Sequence, residues 1–207
     1  MTGQEIITDF ELQVSDLTEL SSVQELALLN KVYGKLLGGK PYEVTKRQAS
    51  GSLSTSVPYI DLEDDFLSLV ANHNYTGPGE FANRPVIFVG DGYQPYKVVS
   101  WDDRRQYRND TNAAYVDIRA SRIYFTIQPA SALSYEYDYH AIPDALTLAT
   151  SPIFPAYLQP ILVHLMATED FVLQLSDKAK SYAPENLAMA KSYKEDLDYW
   201  NSTLVQL

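Results

Sequence analysis

Apolar residues recur at three- and four-residue steps at both ends of the chain and at two-residue steps in the middle, so helices should flank a β-rich segment. Leu26, Leu29, Val32, Tyr33, Leu36 and Leu37 line one helical face. Ser22-Val23-Gln24-Glu25 ahead of them has capping-box spacing, with Ser22 as N-cap and Glu25 reaching back to the cap amide. Gly38-Gly39 offers a left-handed C-cap that stops this helix, and Ile6, Ile7 and Phe10 predict a shorter one within residues 3–13. Toward the other end, Leu158, Ile161, Leu162, Leu165, Met166, Phe171, Val172 and Leu175 predict one long helix. It is entered through Pro155, with Pro160 in its first turn or marking a later start. Ala183-Pro184-Glu185 opens a last helix carrying Leu187, Ala190, Tyr193, Leu197, Trp200 and Leu204, and the short link between the two predicts an antiparallel pair.

From Tyr42 the period changes. Residues 42–47 and 57–62 alternate loosely around Ser50-Gly51-Ser52-Leu53-Ser54, the composition of a hairpin with a flexible loop. Residues 85–89 lead through Gly90-Asp91-Gly92 to residues 96–101, a second hairpin whose turn needs glycine conformations. Residues 115–119, 122–127 and 133–139 then read as one meander, the last run alternating aromatic and polar positions. The expected fold is therefore α+β, mainly α: an antiparallel helical bundle with a small antiparallel β-sheet insertion between its N-terminal and C-terminal helices. Residues 1–207 would make one domain, with helices in 1–41, the β-rich insertion in 42–142 and a helical pair in 143–207.

Composition narrows the chemistry. At 45% hydrophobic and 21% charged residues the chain is neither disordered nor collagenous. No stretch approaches the roughly 18 to 20 apolar residues of a membrane span, and Met1-Thr2-Gly3-Gln4-Glu5 lacks a signal peptide's basic start, so the chain is expected to work in the cytosol or to be carried out by something else. The absence of cysteine removes disulfide frameworks, cysteine-based zinc sites, thiol nucleophiles and iron–sulfur clusters. A net charge of −11, spread over all three segments, argues against gripping nucleic acid, because that affinity comes mainly from Lys and Arg. Tyrosine is abundant, 16 residues of which 11 fall between Tyr42 and Tyr139.

The candidate reactive groups read mostly as structure. Asp61, Glu63, Asp64 and Asp65 could hold Ca²⁺, but they lack the glycine and distal glutamate of an EF-hand loop and also read as a solvated turn. Asp102-Asp103 followed by Arg104-Arg105 reads as an exposed loop with local ion pairs rather than a catalytic carboxylate pair. His73, His140 and His164 share no ligand spacing, and His164 reads as a packed helix residue. Gly77-Pro78-Gly79 and Gly90-Asp91-Gly92 read as turns, since neither opens a helix after a strand. Tyr135, Tyr137 and Tyr139 could form a sugar- or base-stacking platform, yet aromatic residues at every second position equally describe the buried face of a sheet. These residues offer no catalytic, metal or cofactor assignment, and no enzyme is expected.

The order of parts resembles a known family. The capped helix with Leu26-Ala27-Leu28-Leu29-Asn30-Lys31-Val32-Tyr33, the Tyr59-Ile60-Asp61-Leu62-Glu63-Asp64-Asp65-Phe66 step and Ile123-Tyr124-Phe125-Thr126-Ile127-Gln128-Pro129-Ala130 come first. Leu133-Ser134-Tyr135-Glu136-Tyr137-Asp138-Tyr139 and Ser151-Pro152-Ile153-Phe154-Pro155 then lead to helices ending in Tyr199-Trp200. This succession resembles the head-to-tail connector adaptor proteins of tailed bacteriophages, although Glu63 stands where that family commonly has proline. The resemblance implies a virion structural protein of the neck, assembled in the host cytoplasm. It would form a homo-oligomeric ring on the portal protein, extend the DNA channel without binding DNA specifically, and dock a downstream stopper or tail protein. It needs no cofactor and no membrane. By position in the family, Tyr199, Trp200, Leu204, Val205 and Leu207 are candidates for portal docking. The loop with Asp102, Asp103, Arg104, Arg105, Arg108 and Asp110 is the candidate for the lumen or the next neck protein. The alternatives are a tail-completion or capsid-decorating protein and a carbohydrate-binding module.

Overall fold

The structure, a computed structural model, describes residues 1–14, 20–71, 84–92, 94–126 and 130–204. It divides into two compact units: Met1–Val44 with Pro143–Leu207, and Thr45–Ile142.

The first unit is helical. Helices α1 (Gly3–Val14) and α2 (Ser22–Gly38) are joined by α3 (Pro160–Ala167), α4 (Asp170–Leu175) and α5 (Asp177–Leu204). Ile6, Ile7 and Phe10 of α1, Leu29, Val32 and Leu37 of α2, and Ile161, Leu162 and Met166 of α3 meet in one core that Leu197 of α5 completes. The capping box exists one residue earlier than its predicted position. Ser21, not Ser22, is the N-cap, and Gln24, not Glu25, returns the bond to the cap amide at 2.9 Å. Gln serves because the motif needs an acceptor at the third position, not a charge. The end of α2 also differs, since Gly39 sits in the right-handed region at φ −77°.

The predicted long helix over 158–175 is broken into a 3₁₀ turn, α3 and α4. Thr168 caps α3, and extended Glu169 restarts the chain as α4. Helix α5 begins at Asp177 and carries Pro184 as its eighth residue, rather than opening there. Gly3 marks a close approach, because a Cβ there would lie 2.3 Å from the carbonyl oxygen of Thr147. Gly3 N donates to Thr150 O at 2.8 Å, and Asn30 of α2 brackets Leu146 by accepting from its amide at 2.6 Å and donating to its carbonyl at 3.0 Å. The 146–150 strap is thereby sewn to both N-terminal helices.

The second unit overturns the expectation of a mainly helical bundle with a small antiparallel insertion. Nearly half the chain forms one mixed sheet of eight strands that curls into a nearly closed barrel. The strands are β1 (Lys46–Leu53), β2 (Tyr59–Asp61), β3 (Phe66–Leu69), β4 (Val86–Val89), β5 (Gln94–Val99), β6 (Ala113–Asp117), β7 (Arg122–Phe125) and β8 (Leu133–Ala141). Their order is β1-β8-β4-β5-β6-β7-β2, with β3 beside the last residues of β8. The outermost strands, β1 and β2, are consecutive in the chain. Five residues join them, a reach of at most about 18 Å, so the ends of the sheet must curve toward one another.

The predicted pairings fail where they assumed that sequence neighbours pair. Strand β1 pairs along its whole length with β8 and not with β2, so Ser50-Gly51-Ser52 is strand rather than loop. Strand β2 pairs with β7, and β8 leaves the meander to lie between β1 and β4. Among the described residues neighbours pair in the β4–β5 and β6–β7 hairpins, the first turning at Gly90 with φ +75°, and in the parallel pair β5–β6. Inward residues Ala49, Leu53, Ile60, Ile87, Val89, Ala114, Ile123, Phe125, Tyr137 and Tyr139 form a second core. That core is why the sheet stands as a unit and not as decoration on helices.

Candidate functional site

The loop from Ser100 to Asn112 is required by topology. Strands β5 and β6 are parallel, with Lys97 opposite Ala113 and Val99 opposite Tyr115, and parallel neighbours need a crossover of about a dozen residues. The loop is built rather than loose. Asp103 Oδ2 accepts from Ser100 Oγ at 2.8 Å, starting a 3₁₀ turn over Asp103–Arg105. The Arg104 guanidinium lies 3.9 Å over the Trp101 ring and donates to the Trp101 carbonyl. At the far end Asp110 receives the Lys97 ammonium at 2.7 Å, and Asn112 N donates to Asp110 Oδ1 at 2.9 Å. The Lys97 hydrogen bond, helped by Asn112, holds the Asp110 carboxyl below its usual range against burial. Of the six residues predicted here, Asp103, Arg104 and Asp110 therefore work inside the loop. Asp102, Arg105 and Arg108 face solvent, and neither arginine makes an ion pair among the described residues.

The predicted docking residues at the end of α5 separate by face. Tyr199 is 73% exposed, whereas Trp200 is half-buried against the helical core. Leu204 is half-exposed, and Val205 and Leu207 lie outside the described residues. A polar cluster holds this end of α5 in place. Lys194 Nζ donates to the buried Tyr42 hydroxyl at 2.8 Å, Tyr42 donates to Asp198 at 3.1 Å, and Lys40 pairs with Asp198 at 2.5 Å. Burial pushes the Tyr42 hydroxyl far up, and the negative charge of Asp198 adds to the shift. Burial also acts to raise Asp198, but Lys40, Lys194 and Tyr42 outweigh it and hold that carboxyl low. Asn201 adds a bond to Glu43 N at 2.7 Å. The spacing of single residues gave no sign of this cluster, whose members lie about 150 residues apart in the chain.

The remaining candidates are absorbed by the fold. Tyr137 and Tyr139 are 2% and 5% exposed and point into the sheet core, so the stacking-platform reading fails at this strand. Burial and a 2.9 Å bond to Asp65 push the Tyr139 hydroxyl up to about 12. Arginines neutralise two of the clustered carboxylates, Arg47 pairing with Asp65 and Arg122 with Asp61. Among the described residues no group of three or more His, Cys, Asp or Glu is placed to hold a metal ion. His140 is buried on Thr45 at 3.2 Å. His164 bonds Asn186 at 2.9 Å and stacks on Tyr193, as a packed helix residue does. His73 and Gly77-Pro78-Gly79 lie outside the described residues. No helix among the described residues is long and apolar enough to cross a membrane.

What the sequence reading missed is an aromatic ladder on the outer face of the sheet. Tyr59 of β2 and Tyr115 of β6 both stand opposite Tyr124 of β7, with ring centres 5.5 and 5.4 Å away, and Trp101 abuts Tyr115 at 5.5 Å. Arg104 covers the Trp101 end and Arg122 lies 4.0 Å over Tyr59 at the other. Each tyrosine alternates with an inward residue, Ile60, Ala114 or Ile123, and that period was the available signal.

The family described as SU10 adaptor protein matches residues 1–206, and the chain belongs to that family of phage head-to-tail adaptors, structural components of the virion. A comparison with curated proteins finds no match.

Proposed function

We propose that this chain assembles as a homo-oligomeric ring beneath the portal of a tailed phage, extends the DNA channel, and offers a platform to a stopper or tail protein. Family membership across essentially the whole chain carries this reading. The net charge of −11 supports a conduit along which DNA slides, because an acidic wall does not hold phosphate. Tyr199, exposed beside the anchored Trp200, together with Leu204, is the portal-docking element. The test is native mass spectrometry of the full chain mixed with portal rings from the same genome. The expected result is a discrete complex with one chain per portal subunit, weakened by Tyr199→Ala. Intact portal beside folded, unbound chain would overturn the assignment.

A further inference from the structure

The chain's charge is unevenly divided. All seven arginines lie between Arg47 and Arg122, and residues 94–126 hold six basic against four acidic groups in a chain of net −11. Residues 1–30 hold six acidic groups and no Lys or Arg. The basic window coincides with the aromatic ladder. Beside Trp101, a shallow hollow of about 560 Å³ is lined by Asp102, Val116, Asp117, Ile118 and Arg119, and Ile118 is 64% exposed. Arg119 in its lining, and Arg105 and Arg108 in the preceding crossover, are exposed and make no ion pair among the described residues.

Ring geometry decides what this surface can hold. Tyr115 and Tyr124 lie within 15° of parallel and cover each other, Trp101 meets Tyr115 edge-on at 74°, and arginines cap both ends. The faces that a sugar or base would stack on are thus already in use. Trp, Tyr and Arg around an apolar centre are the composition of a protein-binding hot spot.

We infer that this ladder and its arginines dock the α1 face of a second copy of the chain. Glu5, Asp9 and Leu12 stand on one exposed line of α1, with Glu11 alongside, and Leu12 is 70% exposed. The α1 surface so presents an exposed apolar residue beside the exposed carboxylates of Asp9 and Glu11, Glu5 being paired with the terminal ammonium at 3.9 Å, and it complements Ile118 and Trp101 in a window where basic groups outnumber acidic ones by two. Two different patches meeting head to tail form a heterologous contact, the kind that closes a ring by rotation. This inference rests on the ring reading and names its interface.

The chain has no cysteine, so single cysteines report contacts without background. Chains carrying Ile118→Cys and Leu12→Cys are mixed, with and without portal rings, and treated with a short bismaleimide. Ser192→Cys on exposed α5 replaces Leu12→Cys as the control. A 118–12 cross-link in excess of the control is expected. A triple reversal of Arg105, Arg108 and Arg119 to Glu should cut its yield about tenfold, as should Asp9→Lys with Glu11→Lys, and mixing the two charge variants should restore it. Assembly on portal without the 118–12 cross-link overturns this interface and leaves the adaptor function standing. The cross-link in free chains without portal binding supports the interface and overturns the portal role. Loss of both overturns both, and protection of Ile118→Cys by a DNA duplex instead of by a second copy also overturns the interface.

Discussion

Replacing Asp110 by Asn asks whether the parallel crossover is held by charge or only by chain connectivity. The side chain keeps its shape, and its Oδ1 can still accept from Asn112 N, so the change removes charge alone. What is lost is a 2.7 Å charge-assisted bond to Lys97, whose side chain is 11% exposed. Such bonds contribute about 1.5–3 kcal/mol, and the expected cost is about 2 kcal/mol. The Tyr107 ring, 4.9 Å from Lys97 Nζ, is present in both proteins and offsets nothing.

With a urea slope of about 1–3 kcal/mol per molar, the midpoint should fall by roughly 1 M. Trp101 stands in the loop and reports the transition by fluorescence once Trp200→Phe silences the other tryptophan. Lys97→Met completes a double-mutant cycle, with an expected coupling of at least about 1 kcal/mol. The acid limb gives a second check. Asp110 has a folded value below its ordinary 3.8, so its contribution is complete above pH 3.8 and fades as pH falls through the lowered value. Asp110→Asn should flatten that window. A loss under about 0.5 kcal/mol, or an additive cycle, would refute the reasoning.

Tyr42→Phe removes one hydroxyl that both accepts from Lys194 and donates to Asp198, and should cost about 1 kcal/mol in thermal melts of the helical unit. No change would show that Lys40 and Lys194 hold Asp198 without the hydroxyl. Gly3→Ala drives a methyl group against the Thr147 carbonyl and should cost about 1–3 kcal/mol, with hydrogen exchange at Gly3 N rising as its bond to Thr150 breaks. Glu25 is raised above 4.5 by burial and then by the charge of Glu11, so its contribution is present below pH 4.5 and is lost as pH rises through the raised value. Glu25→Gln should therefore raise stability at pH 7 relative to pH 4, and equal shifts at both would contradict that sign.

Helix positions were legible because their signals are local. A face of Leu26, Leu29, Val32, Tyr33 and Leu36 needs no knowledge of its partner to declare a period of 3.6, and the helix lies where that face placed it. The misreadings were boundaries set by competing local chemistry. Ser21 and Gln24 satisfy the cap as well as Ser22 and Glu25 by spacing alone, and Pro184 is tolerated inside α5 where it was read as a start. Strand pairing is different in kind. Ala49 pairs with Tyr137 across 88 residues, and nothing in either strand names the other. Adjacency was the only available guide, and it turned a nearly closed barrel into a small antiparallel insertion.

The same limit governs the surfaces. Strand alternation shows that β8 has an aromatic face and that Tyr115 and Tyr124 share a period, but it does not say which face is inside. That choice follows from the neighbours. On β8 the aromatic positions meet Ala49, Ile87 and Leu69 and close a core, whereas on β6 and β7 the small and branched residues Ala114 and Ile123 take the interior and turn the tyrosines outward. One alternating pattern thus yields a buried core on one strand and a half-buried outer ladder on two others. Charge resolves the ambiguity in part, because Arg119 and Arg122 flank the outward tyrosines and a buried guanidinium without a partner is expensive. Tyrosines that share a face with arginine, as Tyr124 does with Arg122, therefore mark an outer face, and aromatic alternation interleaved with Ser, Glu and Asp, as on β8, marks a strand whose rings are inside.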